Sequence, residues 1–188
     1  MKTKMLLLVF AYLCIFTAIE AHAQGTQTPE EVAKASMDFT SKGDWSSYAK
    51  LMHPEALTQA KRLFQPLVAA DKSGELLELF FGVKTVKQFD ALSDAGVFEA
   101  LMINITKNIP GFTDALKTVD FKLVGSVPEG EELVHVVYRT GAQVKGINFS
   151  NTSVMTLRRH QGQWRLILDS NLEGLAASIS EKLSGSKK

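Results

Sequence analysis

The histidines, a tyrosine and an arginine pair are the side chains of this sequence best suited to chemistry. Three of the four histidines, His53, His135 and His160, lie beyond the apolar N-terminal segment and are far apart along the chain. They show neither the HxH nor the HExxH spacing of a metal site, and the single cysteine is at position 14. No glycine-rich phosphate loop or GxSxG elbow occurs either. The sequence therefore predicts neither a metal site nor a cofactor.

The basic cluster Arg158-Arg159-His160 comes at the end of a predicted strand. Because side chains alternate across a strand, the two arginines should face opposite sides of the sheet. Arg159 could then hold a carboxylate ligand at the rim of a cavity. The alternative is a solvated strand end with no ligand.

His53 lies in the stretch GDWSSYAKLMHPEAL, immediately before Pro54. A residue that precedes proline is disfavoured in the helical conformation, so we expect His53 near a helix end. There its imidazole could interact with the exposed carbonyls and the negative end of the helix dipole. We therefore predict a structural role, and the alternative places His53 and Tyr48 at the mouth of a binding site.

Residues 1–23 have the pattern of a signal peptide. Lys2 and Lys4 precede an apolar run of about 15 residues, shorter than the roughly 20 that span a bilayer, and Ala21-His22-Ala23 supplies the small residues of a cleavage site. We predict cleavage after Ala23, export to the periplasm or the exterior, and no stable membrane anchor afterwards. An uncleaved anchor is the alternative.

The charge balance argues against a nucleic-acid partner. The chain has 21 basic and 20 acidic residues, and loss of the first 23 residues leaves the two equal. A nucleic-acid binder needs a surplus of basic side chains to neutralise phosphates. Without its one cysteine, the exported chain would also depend on its hydrophobic core for stability.

The periodicity predicts one domain over residues 29–184, after a lead-in at 24–28 and before a frayed tail at 185–188. Thr28-Pro29-Glu30-Glu31 is a capping-box helix start. Gly43 should end that helix, and Asp44 should cap the next one. Residues 58–118 read as a helical elaboration in which Pro66 interrupts one pattern, Ser93 caps a longer helix and the residues around Pro110 end it. The stretch NLEGLAASISEKL predicts a closing helix.

From Val119 the hydrophobic period changes to two, which predicts four antiparallel strands. We place them at 119–127, 132–140, 151–160 and 163–169, with tight turns except for a looser link around Gly146. The alternation predicts one face against the helices, comprising Phe121, Leu123, Val134, Val136, Tyr138, Met155, Leu157, Trp164, Leu166 and Leu168. The opposite face mixes apolar and charged residues.

Three motifs resemble the NTF2-like superfamily, the cystatin-like cone fold that includes SnoaL-like cyclases and ketosteroid isomerases. They are Gly43-Asp44-Trp45 followed by Tyr48, His53-Pro54-Glu55-Ala56-Leu57, and Gly162-Gln163-Trp164-Arg165-Leu166. The resemblance implies an α+β fold, with N-terminal helices packed on a curved four-stranded antiparallel sheet and residues 58–118 as an addition. It also implies a cavity between sheet and helices, and dimerisation through the sheet.

The sequence favours an exported binding protein over an enzyme. An isomerase or cyclase would need a carboxylate or histidine in the cavity beside Tyr138, but the predicted register turns Asp120 and Asp169 to the other face. We expect a small apolar or amphipathic ligand, or a protein partner, with homodimerisation through the sheet face as a further expectation. An enzyme and an envelope assembly protein remain the alternatives. The residues expected to bind the ligand are Tyr48, His53, Tyr138, Met155, Arg159 and Trp164.

Overall fold

The chain forms an α+β fold in which helices pack on one side of a four-stranded antiparallel sheet. The computed structural model describes residues 27–108, 111–144, 147–168, 172 and 174. The predicted signal peptide, the closing helix and the frayed tail fall outside these residues, apart from Leu172 and Gly174. None of the described helices is long and apolar enough to cross a membrane.

The helical part comes first in the chain and the sheet follows it. The helices are α1 (Pro29–Lys42), α2 (Trp45–Leu51), α3 (Pro54–Ala70), α4 (Glu75–Phe81), α5 (Val86–Ala91), α6 (Asp94–Asn108) and α7 (Phe112–Thr118). The strands are β1 (Asp120–Glu129), β2 (Leu133–Val144), β3 (Ile147–His160) and β4 (Gln163–Leu166).

Short-range capping sets the helix boundaries. Thr28 and Glu31 form the predicted capping box of α1, and the left-handed Gly43 ends that helix. Asp44 accepts from the backbone N–H of Ser47 and so caps α2. These interactions satisfy backbone groups that the first and last turns of a helix leave without an intrahelical partner.

One local prediction is wrong, and a second is right about the position but not about the contact. The helix α3 continues through Pro66, which lies in its last turns, because the apolar residues on both sides of it are buried together. His53 lies at a helix boundary in a structural role, as predicted, but the contact expected with the carbonyls that end α2 is replaced by one with the following helix. His53 is the N-cap of α3, where its Nδ1 accepts the backbone N–H of Glu55 at 3.2 Å.

The sheet is the predicted antiparallel meander, with the strand order β1-β2-β3-β4. The strands β2 and β3 stay paired as far as Val144 and Ile147, beyond their predicted bounds at Thr140 and Asn151. A register shift between Leu123 and Gly125 interrupts the pairing of β1 with β2. Such a bulge bends a strand and increases its twist.

Two hydrophobic clusters stabilise the fold. The first lies between the sheet and the helices α1, α2 and α6, and its members include Phe98, Val136, Leu157 and Leu166. The second is built by helices only and contains Phe64, Leu77, Phe81, Phe89 and Leu101. Helix α6 contributes to both, so residues 58–108 have a core of their own beside the core of the sheet.

Candidate functional site: an apolar cavity between the sheet and the helices

A cavity of about 640 Å³ lies between the inner face of the sheet and the helices α1, α2, α6 and α7. This volume falls within the roughly 300–1,000 Å³ of sites that take drug-sized ligands. The cavity is partly open to solvent. Its lining residues are Met37, Thr40, Trp45, Tyr48, Met52, Phe98, Met102, Ile105, Leu116, Tyr138, Val154, Met155, Thr156, Leu166, Ile167, Leu168 and Leu172.

Methionine is concentrated in this lining. The chain has six methionines, of which Met1 and Met5 belong to the N-terminal segment. The other four, Met37, Met52, Met102 and Met155, all line the cavity. They come from α1, the end of α2, α6 and β3. Because a methionine side chain is unbranched and polarisable, it adapts to differently shaped apolar neighbours.

Aromatic rings form a second part of the wall. The rings of Tyr48 and Phe98 are stacked with centroids 5.6 Å apart, and Trp45 contacts Tyr48 at 6.0 Å. On the sheet side, the ring of Tyr138 lies 5.1 Å from that of Phe121. These contacts fix the aromatic side chains, so the cavity combines a stiff aromatic surface with four flexible thioethers.

The described lining carries no charged side chain. Its polar side-chain groups include the hydroxyls of Thr40 and the two tyrosines and the indole N–H of Trp45, and the Thr40 hydroxyl donates to the carbonyl of Ser36 at 2.8 Å. Thr156 also lines the cavity, but its hydroxyl bonds the His135 ring at 3.0 Å. No carboxylate or imidazole among the described residues reaches the cavity beside Tyr138, and Asp169 lies outside them. This lining suits an uncharged apolar molecule.

Arg159 and Trp164 lie elsewhere, in an open groove of about 700 Å³ that is also lined by the turn between β1 and β2. The Arg159 guanidinium stacks on the Trp164 ring at 4.5 Å and donates to the carbonyl of Glu131 at 3.2 Å. Glu30, Glu131 and Glu132 line the same groove. Arg159 is thus engaged by an aromatic face and a backbone carbonyl, and it does not stand at the rim of the methionine-lined cavity.

His53 is buried where the junction of α2 and α3 meets β4. Its backbone N–H donates to the Leu166 carbonyl at 2.7 Å, and its ring meets His160 edge-on at 5.0 Å. Burial lowers the pKa of His53, the nearby His160, Arg158 and Arg165 lower it further, and Glu55 opposes them. A neutral ring is also what the N-cap requires, because a protonated Nδ1 cannot accept the Glu55 N–H.

The six residues expected to bind a ligand therefore fall into three places. Tyr48, Tyr138 and Met155 come together in the cavity, Arg159 and Trp164 form the groove, and His53 serves as a cap. Sequence reasoning missed most of the wall, including Met37, Phe98 and Met102. The available signal was their position on the inner stripes of amphipathic helices, a pattern that core residues share.

The described residues contain no cluster of three or more histidine, cysteine or acidic side chains that could hold a metal ion. Their buried side-chain nitrogen and oxygen atoms all have hydrogen-bond partners.

No protein-family model and no curated protein matches the chain. Among solved structures, the chain is similar to an NTF-2 like protein of unknown function from Shewanella oneidensis MR-1, with 12% sequence identity and a TM-score of 0.40. The match covers 74% of this chain and 92% of that one. Helices against a four-stranded antiparallel sheet, seen directly in this chain, are the arrangement that the NTF2-like resemblance predicted. At this level of similarity, nothing about activity, ligand or partner passes to this chain.

Proposed function

We propose that this protein binds a small, uncharged apolar or amphipathic molecule in the cavity and does not transform it. The observation that supports the proposal is the cavity of about 640 Å³, walled by four methionines and four aromatic rings with no charged side chain among its described residues. An unfilled apolar volume forfeits the dispersion contacts that a close-packed core would make. A ligand would restore those contacts.

The composition of the wall favours a permissive site. Apolar burial contributes roughly 25 cal/mol for each Å² removed from water, so affinity here would come from contact area more than from polar contacts. The hydroxyls of Tyr48 and Tyr138 are the groups that could orient one polar end of an amphipathic ligand. The four thioethers would adjust to the remainder of its shape.

Fluorescence titration with N-phenyl-1-naphthylamine, a neutral apolar probe, tests the proposal. We expect saturable binding of one probe per chain, with blue-shifted emission. Met102→Trp adds a large ring to the half-buried wall and should weaken probe binding at least about tenfold, since the indole would occupy space that the probe needs and leave it overpacked.

The matched control is Ile103→Trp. Ile103 is the next residue of α6, but its side chain is 51% exposed and lines no part of the cavity. The Ile103→Trp substitution should leave probe binding unchanged. Equal affinities of the two variants, or no saturable binding by the unmodified protein, would refute a ligand site in this cavity.

We further propose that the protein acts after export. The support is the pattern of residues 1–23, in which two lysines precede a short apolar run and an Ala-His-Ala cleavage site. In that setting a cavity for apolar molecules would act in the cell envelope or outside the cell. Export also makes the intact mass of the purified chain informative, since cleavage after Ala23 would leave Gln24 at the N-terminus.

A further inference from the structure

The sulfur atoms of this chain are concentrated at one place. Beyond residue 5 the sequence has four methionines, Met37, Met52, Met102 and Met155, and its single cysteine is Cys14. All four methionines line the cavity between the sheet and the helices. The helical hydrophobic cluster consists mainly of phenylalanine, leucine and valine, and its described members include no methionine. Because apolar packing alone could use those same residues, the thioethers give the cavity a chemistry of its own.

Solvent reaches the four methionines to different degrees. Met37, Met102 and Met155 are half-buried, and the cavity that they line is partly open. Met52 is buried, with 6% of its surface exposed, and its backbone is bridged to that of Leu166. A small solute that enters the cavity should therefore reach three of the sulfur atoms more easily than the fourth.

A thioether is the group in this lining that hydrogen peroxide oxidises most readily. The sulfur lone pair forms an S–O bond while the O–O bond of the peroxide breaks. The departing hydroxide takes the proton from the transferred oxygen and becomes water. The sulfur loses two electrons, the peroxide gains them, and the product is methionine sulfoxide. After removal of the N-terminal segment with Cys14, no thiol of the chain would compete for the oxidant.

Sulfoxide formation would change the character of the cavity wall. It converts a flexible apolar side chain into a polar one. An uncharged apolar ligand would have to displace water from the sulfoxide oxygen without offering it a hydrogen bond, which is unfavourable. The side chains that adapt to the ligand in their reduced form would therefore exclude it in their oxidised form.

We propose that Met37, Met102 and Met155 form a reversible oxidation site through which hydrogen peroxide releases the ligand from the cavity. This inference rests on the proposed function and adds the regulation of the same site. Methionine sulfoxide reductases, one for each epimer of the sulfoxide, return the wall to its apolar state. Export, as proposed above, would place the chain outside the reducing environment of the cytosol.

Peptide mapping by mass spectrometry after brief peroxide treatment shows which sulfur atoms react. In the folded protein, Met37, Met102 and Met155 should each gain an oxygen atom at least about threefold faster than Met52, because access governs the reaction. In urea, where the cavity is lost, the four methionines should react at similar rates. Similar rates in the folded protein as well would overturn the inference.

Titration with N-phenyl-1-naphthylamine before and after oxidation measures the release, once catalase has removed the peroxide. Oxidation should raise the dissociation constant of the probe at least about tenfold. Treatment with the two reductases should restore the original value. The circular dichroism spectrum should stay unchanged throughout. A loss of helix or strand signal on oxidation would show damage to the fold in place of release, and it would overturn the inference.

A triple variant, Met37→Leu with Met102→Leu and Met155→Leu, removes the three accessible sulfur atoms at nearly constant volume. Compared with its own untreated state, this variant should lose less than about twofold in probe affinity after peroxide treatment. Met52→Leu is the matched control, since it keeps the three accessible sulfur atoms. It should lose as much affinity on oxidation as the unmodified chain does.

The outcomes separate this inference from the proposed function. Equal losses of affinity in the triple variant and in Met52→Leu would overturn the inference, and so would probe binding that survives sulfoxide formation. Either result would leave the ligand site itself standing. Absence of saturable probe binding before any peroxide is added would refute the proposed function, and the release with it.

Discussion

At the scale of single residues, His53 shows how a side chain that is capable of acid–base chemistry can serve a structural role. Its Nδ1 caps α3, the residue as a whole is 6% exposed, and its backbone joins β4 through the Leu166 carbonyl. The histidine-proline step was visible in the sequence. The sequence did not show which of the two adjacent helices the imidazole would serve, because that depends on its rotamer and on the packing of β4 against it.

The lowered pKa of His53 predicts how stability depends on pH. Its first cause is burial, supported by His160, Arg158 and Arg165 and opposed by Glu55. As pH falls below about 6.5, the unfolded chain takes up a proton that the folded ring resists, so the free energy of unfolding should decrease. His53→Asn keeps a good N-cap but cannot be protonated, and it should flatten this dependence.

Urea unfolding of the unmodified chain and of His53→Asn between pH 7.5 and 5 measures how the free energy of unfolding depends on pH. His135→Asn is the control, since the His135 ring bonds Thr156 and Glu129 on the other face of the sheet. The His135→Asn variant shows how the loss of a histidine elsewhere changes the dependence of the free energy of unfolding on pH. A pH dependence of His53→Asn as steep as that of the unmodified chain would contradict this account.

At the scale of secondary structure elements, the predictions that succeeded rest on local interactions. The capping box at Thr28, the turn at Gly43 and the alternation of β2 each depend on neighbours within a few residues. The continuation of α3 through Pro66 could not be predicted, because burial of Phe64 and Leu67 in the helical core compensates for the missing N–H.

The loop between α3 and α4 offers a sharp test of element packing. Gly74 and Gly111 are the N-caps of α4 and α7, with nearly identical φ values of 77° and 76°. A Cβ on Gly74 would lie 2.6 Å from the Lys84 carbonyl oxygen, while one on Gly111 would meet nothing within 4 Å.

Both glycine-to-alanine substitutions strain a residue with left-handed backbone angles. Only the one at position 74 also pushes its backbone away from the Lys84 carbonyl. We expect Gly74→Ala to lower the free energy of unfolding by about 1–3 kcal/mol more than Gly111→Ala. Thermal or denaturant unfolding of the two variants gives the difference directly. Equal losses would mean that the Lys84 segment moves aside without cost.

At the scale of the whole molecule, two hydrophobic cores and the methionine-lined cavity define the described part of the protein. The helical core brings α6 into position against α3, α4 and α5, and the opposite side of α6 presents Phe98 and Met102 to the cavity. The sequence indicated a cavity through the NTF2-like resemblance. The gathering of four methionines around it could not be seen, because their four elements meet only in the folded chain.

The central claim is that this cavity holds an apolar ligand. Native mass spectrometry of the protein, purified gently from the cells that make it, tests that claim most directly. We predict a chain that begins at Gln24 and carries a reproducible added mass, which is absent from Met102→Trp and retained by Ile103→Trp. An added mass carried equally by both variants, or none on the unmodified protein, would contradict the account.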